Sequence, residues 1–148
     1  MAERLFLEDF QEGQQFESGT REMTAEAIKA FATEFDPQPF HLDEAAAKDS
    51  FFGGLAASGW HTMAVTMRLM VEGGAPIAGG VIGAGGEINW PRPTWPGDVL
   101  RVVSTVEKVT PSRSKPERGM LRMRSETLNQ RGEVVQVLVA NLLAWRRG

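Results

Sequence analysis

The 148-residue sequence contains no cysteine, no long hydrophobic run and no excess of basic charge. Without cysteine the chain has neither a disulfide framework nor a thiolate metal site. No apolar segment reaches the ~20 residues that a transmembrane helix requires. The N-terminal Met1-Ala2-Glu3-Arg4 leads into acidic sequence rather than into the apolar core of a signal peptide. We therefore expect a soluble, cytoplasmic protein that has no membrane partner.

The charge balance argues against nucleic acid as a partner. The formal net charge is −3 and the isoelectric point is near 5.4, so the chain has no global basic field. Apolar residues make up 42% and charged residues 24%, which are ordinary values for a folded globular chain. The length is typical of one domain with one sizeable core, so we expect residues 1–148 to form a single domain.

The first third of the chain predicts one strand followed by a helix. Residues 5–23 suggest a loop and then a strand, because polar and apolar residues alternate around Phe16. Thr24 is a suitable N-cap for the helix that follows, and Pro37 favours its end at Asp36. The helix carries an apolar stripe at i, i+3, i+4 and i+7, formed by Ile28, Phe31, Ala32 and Phe35.

The rest of the chain predicts a long helix and an antiparallel sheet. Asp43 is placed to cap a short helix over residues 45–48. The helix predicted over residues 58–71 is apolar on nearly every side, so we expect it to be enclosed, and Gly73-Gly74 should end it. Turn signals then separate four predicted strands, at 81–90, 98–109, 119–129 and 133–146. This order predicts an α+β fold in which an antiparallel sheet wraps a buried helix. We expect the other face and the edges of the sheet to be covered by formation of a homodimer, or of a higher oligomer of dimers.

The segment of residues 36–43, Asp-Pro-Gln-Pro-Phe-His-Leu-Asp, is the best candidate for chemistry. It contains one of only two histidines in the chain, five residues after an acid and within a proline-stiffened turn. A carboxylate and an imidazole held in this way are able to position a water and transfer protons near neutral pH. A structural interpretation also exists, in which Asp36 caps a turn and His41 is a hydrogen-bonded, half-buried side chain.

A second candidate is the start of the long helix, Ser58-Gly59-Trp60-His61. The unpaired N–H groups at a helix start favour negative charge, and a glycine permits close approach of a carbonyl oxygen, as in an oxyanion hole. An ordinary serine cap is the structural alternative. Two histidines so far apart in sequence make a poor metal signature, so no metal site is predicted.

These segments together resemble the MaoC-like dehydratase family, which includes the (R)-specific enoyl-CoA hydratases of hot-dog fold. The motif Asp-x-x-Pro-x-His-x-Asp is met by Asp36, Pro39, His41 and Asp43. Gly59 matches the glycine that opens the central helix of the family. Pro93, Gly97 and Asp98 match its Pro-x-x-x-Gly-Asp turn between strands.

The resemblance implies a hot-dog fold and a hydro-lyase of fatty acid metabolism without a metal or redox cofactor. Asp36 and His41 would activate water for addition to a trans-2-enoyl thioester, with Asp36 as base and His41 as orienting group and proton donor. The Gly59 N–H would polarise the thioester carbonyl, and Asp43 would be structural. The substrate would be an acyl-CoA or an acyl-carrier thioester.

The remaining substrate contacts are predicted from residue type and position. The chain has Ser58 where the family usually has histidine, and the bulky side chains after it either shape the acyl pocket or belong to the core. Basic residues in the loop 111–118 and near the Pro93 turn are placed to meet phosphates, although a solvated loop explains them as well. The candidate substrate-binding residues are Phe40, Ser58, Trp60, Met63, Met67, Arg92, Arg113 and Lys115.

Two other functions remain open at this stage. A hot-dog thioesterase would use the acid to activate water against the thioester carbonyl, and a non-catalytic subunit would bind the thioester without turning it over. The proline-framed Asp36 and His41 pair favours the hydratase over both.

Overall fold

The computed structural model describes residues 3–148, so Met1 and Ala2 of the predicted domain lie outside the described residues. A 3-10 helix at Leu7–Asp9 comes first, and it is followed by strands and helices that we number in chain order. The helices are α1 (Ala25–Phe35), α2 (Pro39–Leu42), α3 (Glu44–Lys48) and α4 (Gly59–Gly73). The strands are β1 (Gln15–Glu17), β2 (Arg21–Glu22), β3 (Ile82–Asn89), β4 (Val99–Pro111), β5 (Arg118–Leu128) and β6 (Val134–Trp145).

The strands form one antiparallel sheet in the order β1-β4-β5-β6-β3, and β2 also pairs with β4. Consecutive hairpins join β4, β5 and β6, whereas β3 lies on the far side of β6 and forms one edge of the sheet. The four strands predicted from alternation and turn signals are all present, and their observed bounds differ from the predicted bounds by at most two residues. The expected α+β arrangement is confirmed.

The N-terminal strand was predicted as one element, and this was wrong. The structure has two short strands, β1 and β2, with a break between them. At the break the Ser18 N–H donates to the Val102 carbonyl at 2.9 Å, but the Val102 N–H donates to the Ser18 hydroxyl at 2.8 Å. Because a side chain replaces a backbone carbonyl as the acceptor, the regular strand pairing is interrupted there.

Helix α1 begins where the sequence predicted. The Thr24 hydroxyl accepts the Ala27 N–H at 3.1 Å, and Ile28 and Ala32 are completely buried. The last residue of the apolar stripe lies outside the core, since the Phe35 side chain is 66% exposed. Asp43 caps α3 as expected, since its carboxylate accepts the Ala45 N–H at 3.1 Å.

Helix α4 packs one face against the sheet. Val65, Leu69 and Met70 of this face share a core cluster with residues of β4 and β6, among them Leu100 and Val135. The opposite face is open within the chain. The exposed fractions there are 58% for Trp60, 36% for Met67 and 62% for Val71. The expectation that the helix is enclosed on most sides is therefore not met by a single chain.

No helix within residues 3–148 has the length and hydrophobicity that crossing a membrane would require.

Candidate active site

The end of α1 and the short helix α2 bring Asp36 and His41 together. Asp36 is the C-cap of α1, where its N–H donates to the Ala32 carbonyl at 2.9 Å. Pro39 occupies the first position of α2, where its fixed backbone angle suits a helix start and its missing N–H costs nothing. The resulting change of direction places the His41 Nε2 3.4 Å from the Asp36 Oδ2.

The contacts of His41 determine which ring nitrogen faces the acid. Its Nδ1 lies 2.6 Å from the Ala56 carbonyl oxygen. Since a carbonyl only accepts hydrogen bonds, Nδ1 carries a proton, and Nε2 is the nitrogen directed at Asp36. The ring is buried, and the Phe40 ring meets it edge-on with 4.6 Å between centroids. The imidazole is therefore held in one orientation.

The Asp36 carboxylate is stabilised in its ionised form. Burial by itself raises the pKa of this group, but hydrogen bonds from Gln38 and Ser58 and the charge of His41 lower it by more. The net effect places the pKa of Asp36 below its usual value, so the group is a carboxylate at neutral pH.

The start of α4 supplies a backbone donor beside this pair. Ser58 is the N-cap, and its hydroxyl accepts the Trp60 N–H at 3.2 Å. Among the hydrogen bonds of residues 3–148, none has the Gly59 N–H as its donor. Gly59 lines the same cavity as Asp36 and His41. An unused N–H at the positive end of a helix is suited to an oxyanion.

Gly59 is required here for a steric reason as well. A Cβ added to Gly59 would lie 2.6–2.9 Å from the indole of Trp90. This indole is fixed in turn, because its Nε1–H donates to the Gln136 Oε1 at 2.9 Å. Sequence reasoning missed both residues. The available signals were a tryptophan directly before Pro91 at a strand end and a glutamine within the apolar strand β6.

The cavity has a volume of about 660 Å³ and opens to solvent. Side chains from the loop before α4 and from the turn after β3 complete its wall, and most of them were not predicted from the sequence. The lining residues beyond Asp36, His41 and Gly59 are Phe51, Phe52, Ala57, Trp60, Thr62, Trp90, Pro91, Arg92, Pro93 and Thr94.

The predicted turn of residues 93–98 braces the start of α4. The Asp98 carboxylate accepts the Trp95 N–H at 2.8 Å and so closes the turn. Gly97 has φ +88°, a conformation that favours glycine. Pro93 and Thr94 of the turn line the cavity, and the Thr94 carbonyl accepts the Ala57 N–H at 2.9 Å. Gly97 and Asp98 act on the site by holding this part of its wall.

The predicted substrate-binding residues lie in several places. Trp60 and Arg92 line the cavity, and the Arg92 guanidinium lies 3.9 Å from Glu133 with its side chain half exposed. Phe40 packs behind His41 rather than lining the cavity. Met63 and Met67 line a second, apolar cavity of about 340 Å³, and Trp60 borders both cavities.

Arg113 and Lys115 do not reach the cavity of their own chain. They lie in the hairpin between β4 and β5, whereas the cavity lies near the opposite end of β4. β4 contains 13 residues, and at the usual rise for a strand it spans about 40 Å. The prediction that these two residues bind the substrate is therefore not met within one chain.

The second histidine, His61, lies outside this cavity. Its ring stacks on Phe31 with 4.8 Å between centroids, and its buried Nδ1 has no hydrogen-bond partner among the described residues. Burial and the nearby charge of Arg21 lower the pKa of His61 to about 4, so the ring is neutral at physiological pH. No group of three or more histidine and acidic side chains within residues 3–148 is arranged to hold a metal ion.

Comparison with known proteins agrees with this geometry. The MaoC like domain matches residues 9–127. The MaoC-like dehydratase from Rhodospirillum rubrum, for which a crystal structure exists, has 60% sequence identity to this chain. Its structure matches with a TM-score of 0.96 over 97% of this chain and 99% of that one. The unliganded R-hydratase PhaJ1 of Pseudomonas aeruginosa is 26% identical with a TM-score of 0.79, over 97% of this chain and 88% of that one. The uncharacterized protein YdeM of Bacillus subtilis is 36% identical over 128 residues, which are 84% of this chain and 88% of that protein.

The chain belongs to the MaoC-like dehydratase family. Its sheet and central helix form the hot-dog fold of that family, as the sequence resemblance implied. Membership supports a hydratase or dehydratase activity, and Asp36, His41 and Gly59 are the side chains and backbone group that the structure offers for it.

Proposed function

We propose that the protein is a hydratase that interconverts trans-2-enoyl-CoA and (R)-3-hydroxyacyl-CoA thioesters and acts as a homodimer. The observation that carries the proposal is the 3.4 Å separation of the His41 Nε2 and the Asp36 Oδ2 in a cavity that also contains the unused Gly59 N–H. Water addition to an enoyl thioester requires proton transfer and enolate stabilisation, and these three groups supply both.

In the proposed cycle a water forms hydrogen bonds with both the Asp36 carboxylate and the His41 imidazole. Asp36 takes one proton from this water as the oxygen bonds to C3 of the enoyl group. The C2=C3 electrons move toward the thioester carbonyl, where the Gly59 N–H stabilises the developing enolate oxygen. His41 gives a proton from Nε2 to C2. The proton taken up by Asp36 then passes to His41, and this transfer restores the pair.

Arg92 is the cation best placed for the phosphates of the CoA thioester, because its half-exposed side chain borders the cavity. In this proposal the chain's hairpin residues Arg113 and Lys115 make no contact with a substrate bound in their own cavity.

The test follows the loss of conjugated enoyl-thioester absorbance when the purified protein meets crotonyl-CoA. We expect turnover in the wild type and a loss of at least about 100-fold in Asp36→Asn and in His41→Ala, the range for removal of a general acid or base. Asp49→Asn, a change at another acid that borders neither cavity, is the control and should retain turnover.

The same samples distinguish the two other functions. Release of free thiol from crotonyl-CoA, measured with a thiol reagent, would indicate a thioesterase. Binding of crotonyl-CoA with neither hydration nor thiol release would indicate a non-catalytic subunit. Either result would replace the proposed function.

A further inference from the structure

Two tryptophans meet at the boundary between the two cavities. Trp60 borders both the catalytic cavity and the second, apolar cavity, and Trp90 borders the first. Their rings are perpendicular, with 5.3 Å between centroids and 82° between planes. The pair therefore forms a partition, and a substrate chain that extends from the catalytic cavity toward the second one must pass it.

Trp90 is the fixed half of this partition. One face of its indole packs on Gly59, so closely that no Cβ fits between them. The indole N–H donates to Gln136, which is completely buried and whose amide nitrogen donates to the Thr66 hydroxyl at 3.0 Å. A buried glutamine with both ends of its amide satisfied has little freedom to move, so the indole it holds is fixed as well.

Trp60 is the half that separates the cavities. Its side chain is 58% exposed, and no hydrogen bond from its indole N–H occurs within residues 3–148. Behind it the second cavity is lined by apolar groups such as Met63, Leu138 and Ala140. This space is chemically suited to an alkyl chain, but the tryptophan pair lies between it and the reacting carbons.

We propose that the Trp60–Trp90 pair ends the acyl pocket and restricts the enzyme to short acyl groups. This inference rests on the proposed function for the identity of the substrate. It assigns Trp60 and Trp90 as specificity-determining residues and Gln136 as the residue that positions Trp90. The second cavity is then an extension of the pocket that the wild-type side chains keep closed.

The experiment compares trans-2-enoyl-CoA substrates of four and eight carbons. We expect the wild type to prefer the four-carbon substrate, and Trp60→Ala to raise the eight-to-four ratio of kcat/KM by about tenfold or more, the scale on which hydrophobic pockets discriminate methylenes. Glu72→Ala, an exposed position on the same helix that borders neither cavity and lies outside its exposed apolar face, should leave the ratio unchanged.

A second variant tests whether the eight-carbon acyl chain occupies the second cavity. Ala140→Leu narrows the second cavity from the sheet side, so adding it to Trp60→Ala should remove most of the gain for the eight-carbon substrate. Circular dichroism and thermal unfolding of each variant confirm that it is folded.

Measurements of acyl-CoA binding test the inference independently of whether the protein is a hydratase. Butanoyl-CoA and octanoyl-CoA, which are saturated and cannot be hydrated, are titrated calorimetrically into the same proteins. If the wild type binds both equally, or if Trp60→Ala leaves the affinity ratio within twofold of wild type, the inference is wrong whether or not crotonyl-CoA is turned over. Absence of crotonyl-CoA turnover with a Trp60-dependent affinity ratio would overturn the hydratase assignment alone.

Discussion

The two histidines of the chain are both buried, but their ring nitrogens have very different surroundings. His41 has a carbonyl oxygen beside Nδ1 and a carboxylate near Nε2, so each ring nitrogen has a polar partner. His61 has an aromatic ring on one face and no partner for Nδ1 among the described residues. The folded state opposes protonation of His61, which makes His61 a determinant of acid stability.

We predict that His61 destabilises the protein below pH 6.5. Burial and Arg21 lower the pKa of His61 from 6.5 to about 4. The unfolded chain therefore binds a proton at a pH where the folded chain does not, and the stability present above pH 6.5 is lost as the pH falls toward 4. The full effect is about 3 kcal/mol in the free energy of unfolding. Urea unfolding of wild type and His61→Phe between pH 7.5 and pH 4 measures it.

His61→Phe keeps an aromatic ring on Phe31 and removes the titrating group. Its free energy of unfolding should fall less than that of the wild type over this range, and at pH 7.5 it should be at least as stable, because an unsatisfied buried nitrogen is gone. Titration of the acids occurs in both proteins and cancels in the difference. Parallel pH curves for the two proteins would show that His61 is not the group responsible.

At the scale of elements, the site depends on the contact between the start of α4 and the end of β3. Gly59 opens the helix, and Trp90 follows directly after the strand and covers that glycine. The donor N–H and the indole are therefore linked through van der Waals contact, so a change at one should alter the effect of a change at the other.

We predict that Gly59→Ala is harmful only while Trp90 is present. In the wild-type background the new methyl group displaces the indole, lowering kcat/KM for crotonyl-CoA about 100-fold and stability by about 1–3 kcal/mol. In a Trp90→Ala background the space is free and alanine favours the helix, so the stability cost of Gly59→Ala should largely disappear. Denaturation of the four proteins of this double-mutant cycle measures the coupling. If Gly59→Ala lowers stability equally in both backgrounds, the added methyl group does not clash with Trp90.

Much of this element structure was predictable from local patterns. Alternation and turn residues identified β3 to β6, and capping residues identified the starts of α1, α3 and α4, because these signals act between neighbours in the sequence. The Asp36–His41 pair was also predictable, because both residues lie in one short motif. The break at Ser18 was not, since it depends on a side chain that replaces a carbonyl in pairing with the distant β4.

The cavity wall was the least predictable part of the site. Trp90 and Gln136 are 46 positions apart, and only the pairing of β3 with β6 brings them together. Arg113 and Lys115 show a different limit of sequence reasoning, because within one chain they do not reach the cavity. Their charge suggested phosphate binding, but the length of β4 separates them from the cavity, and charge alone carries no information about that distance.

At the scale of the molecule, one edge of the sheet is open. β1 and β2 at the opposite side are very short, which limits their pairing with other chains, whereas β3 is eight residues long and exposed at seven of them. The apolar residues Trp60, Met67 and Val71 on the free face of α4 are also exposed. An open edge and uncovered apolar side chains together favour a second copy of the chain as partner.

We predict a homodimer in which β3 pairs with β3 of a second copy across a twofold axis. Light scattering should give about twice the 16.2 kDa mass of the chain. Because the chain has no cysteine, single cysteines report the interface without interference. A disulfide forms only when two Cα atoms approach within roughly 7 Å, so Ile82→Cys, Ala84→Cys and Glu87→Cys are tested in turn under oxidation.

At least one of the three β3 cysteines should give a covalent dimer, since antiparallel pairing about a twofold axis brings the positions nearest the axis next to their own copies. Met120→Cys is the matched control. Met120 and Ile82 both pair with Leu143 in register and have similar exposure, 36% and 41%, but Met120 lies on β5, away from the edge. If Met120→Cys cross-links as readily as the β3 variants, the copies meet through the face of the sheet instead. A monomeric mass would mean that the open edge and the exposed face of α4 remain in contact with water.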